Sequence, residues 1–207
     1  MCDPLDGEDK GRLGAIKLLK QIADVANFSL NGSHGALATF DGTDSQTAQI
    51  QFNMNVTVDE FIKKSVDECL DKKDDNDPCR NFYKYPCACC GDTDIISGLN
   101  YSLKNIFNTT SGMRKETSKV AVLITDGRDS PWVPTNNNES YINMGLEYDE
   151  QDITLLVLGV GDVDDTKLKL LVQVPDFYFY ASDWDELDAE FIKAIIAVLC
   201  GGNTLFL

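Results

Sequence analysis

Two apolar runs dominate the hydrophobic pattern of the chain. One lies within Lys119–Arg128 and ends abruptly at Thr125-Asp126-Gly127, and the other spans Ile153–Gly159. Short apolar runs bounded by turn residues are typical of strands buried on both faces of a parallel sheet. We therefore expect two central strands, with Asp126 at the carboxyl end of the first, where open α/β sheets place their ligands.

The remaining pattern alternates between helical and strand spacing. Helical periodicity predicts helices over Leu13–Phe28, Val58–Leu70, Ile96–Phe107, Tyr141–Glu147, Leu168–Val172 and Leu187–Leu199. Further strands are predicted at Ala36–Phe40 and Gln49–Met54, joined as a hairpin by Asp41–Asp44, and at Phe177–Tyr180. This order predicts a doubly wound, mostly parallel α/β sheet with one antiparallel hairpin strand. We expect residues 1–207 to form a single domain with a Cys-rich insert at about 69–90.

Charge excludes several classes of partner. The chain has 18 basic and 34 acidic residues, a formal net charge of −16. Nucleic acids and anionic lipids need a positive surface, so we expect neither as a ligand. No apolar stretch approaches the roughly 20 residues that span a bilayer, so we expect no membrane insertion. The first ten residues also lack the apolar segment of a signal peptide.

Potential glycosylation sites favour an extracellular location instead. Six N-x-[ST] sequons are present, whereas chance would give roughly two. Each sequon is weak by itself, but their excess predicts a secreted glycoprotein. The six asparagines are Asn27, Asn31, Asn55, Asn100, Asn108 and Asn138.

The cysteines agree with secretion. Five of the seven crowd one stretch, and Cys87-x-Cys89-Cys90 lacks the C-x₂₋₄-C pairs of usual structural zinc sites. Zinc remains an alternative, but the spacing and the sequons favour disulfides. Because seven is odd, at least one thiol is free or pairs outside this sequence. The candidates for disulfides are Cys69, Cys79, Cys87, Cys89, Cys90 and Cys200.

Motifs for catalysis are missing from the sequence. It has no Gly-x-Ser-x-Gly turn, no phosphate-binding Gly-x₄-Gly-Lys-[ST] loop and only one histidine, His34. Gly159-Val-Gly161 follows a strand, but the third glycine of a dinucleotide-binding turn is absent. We therefore predict that the protein is not an enzyme.

An ordered set of motifs resembles the von Willebrand factor type A (VWA) domain over nearly the whole chain. The set comprises Ala36–Phe40 with its hairpin, Gly91-Asp-Thr93 before a helix, Leu123-Ile-Thr-Asp-Gly127, Leu155–Gly161, and Asp183–Asp188 before the last helix. The resemblance implies a six-stranded sheet flanked by helices, and an adhesion or matrix-binding function. It also implies a metal-ion-dependent adhesion site that binds Mg²⁺ or Ca²⁺ through oxygen ligands.

Carried over residue by residue, that site is degenerate. Asp126 matches the aspartate of the family's Thr-Asp-Gly turn, Thr93 the second-loop threonine, and Asp3 the leading aspartate of Asp-x-Ser-x-Ser. Leu5 and Gly7 stand where the two serines belong, so both of those hydroxyl ligands are missing. In the alternative interpretation, Asp126 and Thr93 only satisfy backbone groups at the sheet edge.

A second departure concerns the first strand, which the family places immediately before that loop. Only Met1 and Cys2 precede Asp3. We expect an N-terminally truncated fragment or an incomplete gene model, which would also account for the missing signal peptide. The resemblance further implies a disulfide from Cys200 to a cysteine before the first strand. We expect that partner to be absent and Cys2 to be buried.

Taken together, these features predict an extracellular module that binds a matrix or cell-surface protein. Its predicted contact surface is the rim formed by Asp3–Glu8, Gly91–Ile95 and Asp126–Ser130. Two alternatives stay open: an acidic matrix or mineral-associated protein that gathers calcium diffusely, and an intracellular VWA scaffold.

Overall fold

The structure is a computed structural model that describes residues 10–26, 28, 33–40, 47–50, 57–63, 93–125, 128–187, 192–193 and 197. Five helices lie within these residues: α1 (Lys10–Ala26), α2 (Val58–Ile62), α3 (Ile95–Asn105), α4 (Asn138–Glu150) and α5 (Asp165–Leu168). The described strands are β1 (Leu37–Thr39), β2 (Thr47–Ile50), β3 (Lys119–Thr125), β4 (Ile153–Val160) and β5 (Tyr178–Ala181). Short 3₁₀ turns occupy Thr109–Ser111, Lys169–Leu171, Pro175–Phe177 and Trp184–Glu186.

A parallel sheet in the order β3-β4-β5 forms the centre of the described structure. The β3–β4 register runs from Lys119 opposite Ile153 to Thr125 opposite Gly159. Because the strands are parallel, their carboxyl ends meet at one edge of the sheet. The sequence-predicted strands at the two apolar runs are therefore confirmed.

Side chains of β4 alternate between two hydrophobic cores. Ile153, Leu155 and Val157 belong to the core that includes α3 and α4. Leu156, Leu158 and Val160 belong to the core that includes α1 and Trp184. Strand side chains point alternately to opposite faces, so a strand covered by helices on both sides must be apolar at every position. The fold is thus doubly wound α/β, as predicted.

The hairpin packs against α3. Strands β1 and β2 pair antiparallel, with Leu37 opposite Ile50 and Thr39 opposite Thr47. The end of α1 and α2 form a third core, in which the rings of Phe28 and Phe61 lie 4.7 Å apart. The predicted hairpin is confirmed, and its second described strand begins two residues before Gln49.

Burial of β3 departs from the expectation. Only Leu123 and Thr125 are buried, and the other five residues are half-buried. Among the described strands β3 has one neighbour, whereas β4 lies between two. A continuous apolar run therefore identified the strand correctly but overstated how fully it is covered.

Several helix bounds also differ from prediction. Helix α4 extends well beyond Tyr141–Glu147, because Asn137 caps it by accepting a 2.9 Å hydrogen bond from the Ser140 backbone N–H. The helix expected at Leu168–Val172 is instead α5 followed by a 3₁₀ turn. Strand β5 is shifted one residue towards the C-terminus relative to prediction.

A residue in left-handed conformation lies two positions beyond the end of α4. Asp152 has φ of 57°, and its N–H donates to the carbonyl of Asp149 at 2.9 Å. Aspartate tolerates this conformation better than most residues, so it can stop the helix and turn the chain into β4. In the part of the chain described, no helix has the length and apolarity needed to cross a membrane.

Candidate functional site at the carboxyl edge of the sheet

The loop before α3 is held by a buried carboxylate. Asp94 is 1% exposed and caps α3, accepting hydrogen bonds from the Ser97 N–H at 2.9 Å and the Ser97 hydroxyl at 2.5 Å. The Thr135 hydroxyl donates to the same carboxylate at 2.9 Å. A carboxylate is favourable there because the helix N-terminus presents unpaired N–H groups and a partial positive charge.

Thr93 is fixed directly against the loop that follows β3. Its N–H donates to the hydroxyl oxygen of Ser130 at 3.0 Å, and the N–H of Ser130 donates to the Thr93 carbonyl at 3.0 Å. Among the hydrogen bonds between described residues, none uses the Thr93 hydroxyl. The structure thus shows that the Thr93 backbone is constrained by the loop that follows β3.

A second buried carboxylate connects both loops to α4. Asp129 is 7% exposed and accepts from the Ile95 N–H at 2.8 Å and from the Tyr141 hydroxyl at 2.7 Å. Burial raises the pKa of Asp129, although both hydrogen bonds act in the opposite direction. Burial and the nearby Asp129 charge raise the pKa of Tyr141, so its phenol remains a donor.

Residues that follow β4 contact the loop that follows β3. Lys167 contacts the side-chain oxygen of Asn136, whose amide nitrogen donates to the Ser130 carbonyl at 3.2 Å. Arg128 and Asp162 form an ion pair at 2.6 Å, but their side chains are 59% and 89% exposed. Solvent screens such a pair, so it contributes little to stability.

Of the predicted metal ligands, the described structure contains Thr93. Asp126 follows the last residue of β3, but it lies outside the described residues, as do Asp3, Leu5 and Gly7. Cys2 and all the disulfide candidates also lie outside the described residues: Cys69, Cys79, Cys87, Cys89, Cys90 and Cys200. So do three of the sequon asparagines, Asn27, Asn31 and Asn55. Their assignments, and the expectations about the first strand, remain predictions.

The described part of the edge fits a hard cation only partially. Both buried carboxylates among the described residues of this edge, Asp94 and Asp129, are committed to protein donors. Within the described ranges, no group of three or more His, Cys, Asp or Glu side chains is arranged to hold a metal. Mg²⁺ and Ca²⁺ take six or more oxygen ligands, so the Thr93 hydroxyl would need ligands from elsewhere.

Sequence reasoning missed most of the network that fixes this edge. Asp94 carries a recognisable signal, since an Asp directly before an apolar helix start is a typical cap. Asp129 carries none, because its partners Ile95 and Tyr141 lie 34 and 12 residues away. The sequence thus predicted which loop forms the edge, but only the structure shows which polar residues of that loop are buried.

Comparison with known families shows to which family the chain belongs. Residues 86–194 match the family model of the von Willebrand factor type A domain, which is 109 of the 207 residues. The chain belongs to the VWA family. The matched region contains the whole described edge, from Thr93 through β3 and β4 to the loop after β5.

Relatives of this VWA domain include collagen chains. It is 30% identical over 91 residues to a collagen alpha-1(XII) chain of Notophthalmus viridescens, covering 44% of this chain and 9% of that protein. It is 33% identical over 85 residues to the collagen alpha-1(XX) chain of Mus musculus, covering 41% and 6%. The alignments thus span less than a tenth of these relatives.

Solved VWA structures share the fold. Proximal thread matrix protein 1 from the mussel byssus, with a zinc-occupied adhesion-site motif, matches with a TM-score of 0.70 at 17% identity, covering 94% of this chain and 44% of that one. The manganese-loaded TRAP protein of Plasmodium vivax matches with a TM-score of 0.61 at 18% identity, covering 89% and 65%. At these identities the likeness supports the fold alone.

Proposed function

We propose that this VWA domain is a non-enzymatic, extracellular protein-binding module that contacts a matrix or cell-surface protein through the carboxyl edge of its sheet. The observation that carries the proposal is the paired hydrogen bonding of Thr93 and Ser130, which locks two loops of that edge together. A preorganised surface loses less conformational entropy on binding. The collagen names of its relatives favour a matrix setting.

The proposed contact includes a degenerate metal-ion-dependent adhesion site with Asp3, Thr93 and Asp126 as ligands. When bound, Mg²⁺ or Ca²⁺ would offer an open coordination position to a carboxylate of the partner. The chain's own contribution is positional: Ser130 fixes the Thr93 backbone, and Asp129 and Asp94 hold the start of α3. Because Leu5 and Gly7 replace serines, we expect a weak site that tolerates Ca²⁺ better than Mg²⁺.

Titration calorimetry with Ca²⁺ and Mg²⁺ tests this part of the proposal. We expect one stoichiometric site in the full chain, lost in both Asp126→Ala and Thr93→Ala. Asp24→Ala is the matched control, because Asp24 is exposed on α1 and is not one of the predicted ligands. A site that survives both substitutions would contradict the assignment.

The formal net charge of −16 favours one competing function, an acidic matrix or mineral-associated protein. In that case calorimetry would give many weak calcium sites, equally reduced by Asp24→Ala and Asp126→Ala. An intracellular scaffold is the other alternative. It predicts that protein expressed in eukaryotic secretory cells would carry no N-linked glycan, although the sequons are present.

A further inference from the structure

An exposed tryptophan lies on the loop that follows β3. Trp132 is 68% exposed, more than any other large hydrophobic side chain among the described residues. Tryptophan is usually mostly buried, because its large ring gains much by leaving water. The second tryptophan of the chain, Trp184, follows that rule at 8% exposure. We call residues 130–135, which contain the exposed ring, the Trp132 turn.

The Trp132 turn is held in place at both ends. At its start, Ser130 and Thr93 exchange two hydrogen bonds of 3.0 Å. At its end, the Thr135 hydroxyl donates to the Asp94 carboxylate at 2.9 Å. The two partners are neighbours in the loop before α3, so both ends of the turn are fixed to the same short segment.

The backbone of the Trp132 turn is also closed from within. The Val133 N–H donates to the Ser130 carbonyl at 3.0 Å, which makes a β-turn with Pro131 at its second position. Proline is favoured there because its ring already fixes φ. Val133 is 5% exposed and anchors the turn in the protein, while Pro131, Trp132 and Pro134 are exposed. The indole is thus presented to solvent on a constrained backbone.

The exposed surface of the Trp132 turn is apolar and uncharged. Residues 130–135 include no acidic or basic residue, in a chain whose formal net charge is −16. The turn itself therefore offers no carboxylate to a cationic side chain, and its indole suits an aliphatic one. Tryptophan is enriched among the residues that contribute most to protein–protein binding, and a ring on a preorganised backbone loses little entropy when a partner buries it.

We propose that Trp132 is the apolar anchor of the adhesion contact, and that it packs on aliphatic side chains of the partner beside the carboxylate that the cation would receive. The inference rests on the proposed function, since Ser130 at the start of the turn is hydrogen-bonded to the predicted ligand Thr93. It adds the chemistry of the partner surface, which is an acidic side chain flanked by aliphatic ones. Burial of the indole adds apolar contact to recognition of that charge.

Synthetic peptides test the proposal on the full chain in Ca²⁺. The probes are a fluorescent peptide with one Glu between two Leu residues, a version with both Leu changed to Ser, and a version with the Glu changed to Gln. Fluorescence anisotropy should detect binding of the Leu-Glu peptide and about tenfold weaker binding of the Ser version. Equal binding by the Ser version, or no binding of the Leu-Glu peptide, would overturn the inference.

Variants at position 132 locate the contact. Trp132→Ala should weaken binding of the Leu-Glu peptide about tenfold, whereas Trp132→Phe, which keeps an aromatic ring, should lose less. Val25→Ala is the matched control, because Val25 is an exposed apolar residue of α1, and it should bind as the unchanged chain does. Equal binding by Trp132→Ala and the control would contradict the anchor role. Sedimentation in which Trp132→Ala abolishes self-association would assign the ring to a second copy and also overturn it.

The fluorescence of Trp132 provides a measurement without any substitution. Because Trp184 is buried, quenching of the emission by acrylamide reports mainly on Trp132. The unlabelled Leu-Glu peptide should reduce this quenching and shift the emission to shorter wavelength, since the bound indole leaves water. Quenching that stays the same in saturating peptide would show that the ring is outside the contact.

Calorimetry with Ca²⁺ separates the anchor role from the proposed function. Trp132→Ala should keep the stoichiometric calcium site, because the indole is not a ligand. If Asp126→Ala loses the Leu-Glu peptide and Trp132→Ala does not, the adhesion site stands and the anchor role is wrong. If Trp132→Ala weakens binding while Asp126→Ala and the Gln version bind normally, the anchor role stands and the cation site is wrong.

Discussion

Tyr141 and Asp129 meet in a buried layer directly beneath the carboxyl edge of the sheet. The phenol donates at 2.7 Å to a carboxylate that also accepts from the Ile95 N–H. Hydrogen bonds to a charged group contribute about 1.5–3 kcal/mol, and leaving such an acceptor unsatisfied is costly. This single contact joins α4 to the loops on which the proposed adhesion site depends.

Tyr141→Phe should therefore lower the free energy of unfolding at neutral pH by about 2 kcal/mol. Urea denaturation followed by circular dichroism measures this loss. Tyr180→Phe is the matched control, because its hydroxyl contacts the Gly161 carbonyl at an exposed position and should contribute little. Equal stability of the two variants would contradict the structural role of the Asp129 contact.

The same variant should change the pH dependence of stability. Burial raises the pKa of Asp129 in the folded state, so protonation favours folding. Its contribution to stability is present at low pH and is lost as pH rises through the folded-state pKa. The Tyr141 hydrogen bond lowers that pKa, so Tyr141→Phe should raise it further and move the loss to higher pH. NMR titration of the Asp129 carboxyl carbon in both proteins measures the shift, and an unchanged or lower pKa would contradict it.

Glycan attachment should differ among the three described sequons. Asn138 is exposed at the start of α4, whereas Asn100 is half-buried within α3. The Asn108 amide already donates to the Lys104 carbonyl at 2.7 Å. For protein secreted from eukaryotic cells, we expect a glycan at Asn138, removed by Asn138→Gln and seen as a mass loss. A glycan on Asn100 with Asn138 bare would contradict the described surface.

At the scale of elements, α4 fits closely against the segment that follows α5. A Cβ built on Gly145 would lie 2.4 Å from the Leu171 carbonyl oxygen and 3.2 Å from the Gln173 amide nitrogen. The first neighbour is backbone, so it cannot swing aside as a flexible side chain would. The close approach of α4 to this segment therefore requires glycine at position 145, although glycine has a low helix propensity.

Gly145→Ala should destabilise the domain by about 1–3 kcal/mol, because overpacking outweighs the roughly 1 kcal/mol that alanine gains in helix propensity. Urea denaturation checks the sign. Asn143→Ala is the matched control, because Asn143 is exposed on the same helix and should be neutral or stabilising. A more stable Gly145→Ala protein would show that α4 is not held as tightly as described.

At the scale of the whole molecule, repulsion among like charges opposes folding. The formal net charge is −16, and salt screens exposed charges over about 10 Å at 0.1 M ionic strength. The free energy of unfolding should therefore rise between low and physiological ionic strength. Denaturation in NaCl with a chelator present isolates screening from divalent binding, and a flat or falling dependence would contradict this prediction.

The sequence predicted correctly those strands and helices whose apolar residues follow a regular local spacing. The apolar runs identified β3 and β4, and helical spacing placed α3 within a residue of its start. Prediction was less accurate for the bounds of α4, where exposed Ile142 and Leu146 blur the boundary between apolar and polar faces, and least accurate at Leu168–Val172, where the structure has α5 followed by a 3₁₀ turn. For the candidate site, the Thr-Asp-Gly turn and Thr93 were identifiable, but the partners that hold Thr93 were not.

The sequence by itself determined the fold family. A strand covered on both faces must be apolar at every position, so its run is visible in the sequence, and the loop motifs occur along the chain in the order typical of the family. The sequence also determined the negative charge and the identities of the proposed ligands. Only the tertiary structure decided that Asp129 is a buried hydrogen-bond acceptor and that Ile142 and Leu146 remain exposed. Those outcomes depend on contacts between residues far apart in sequence, and no local pattern encodes them.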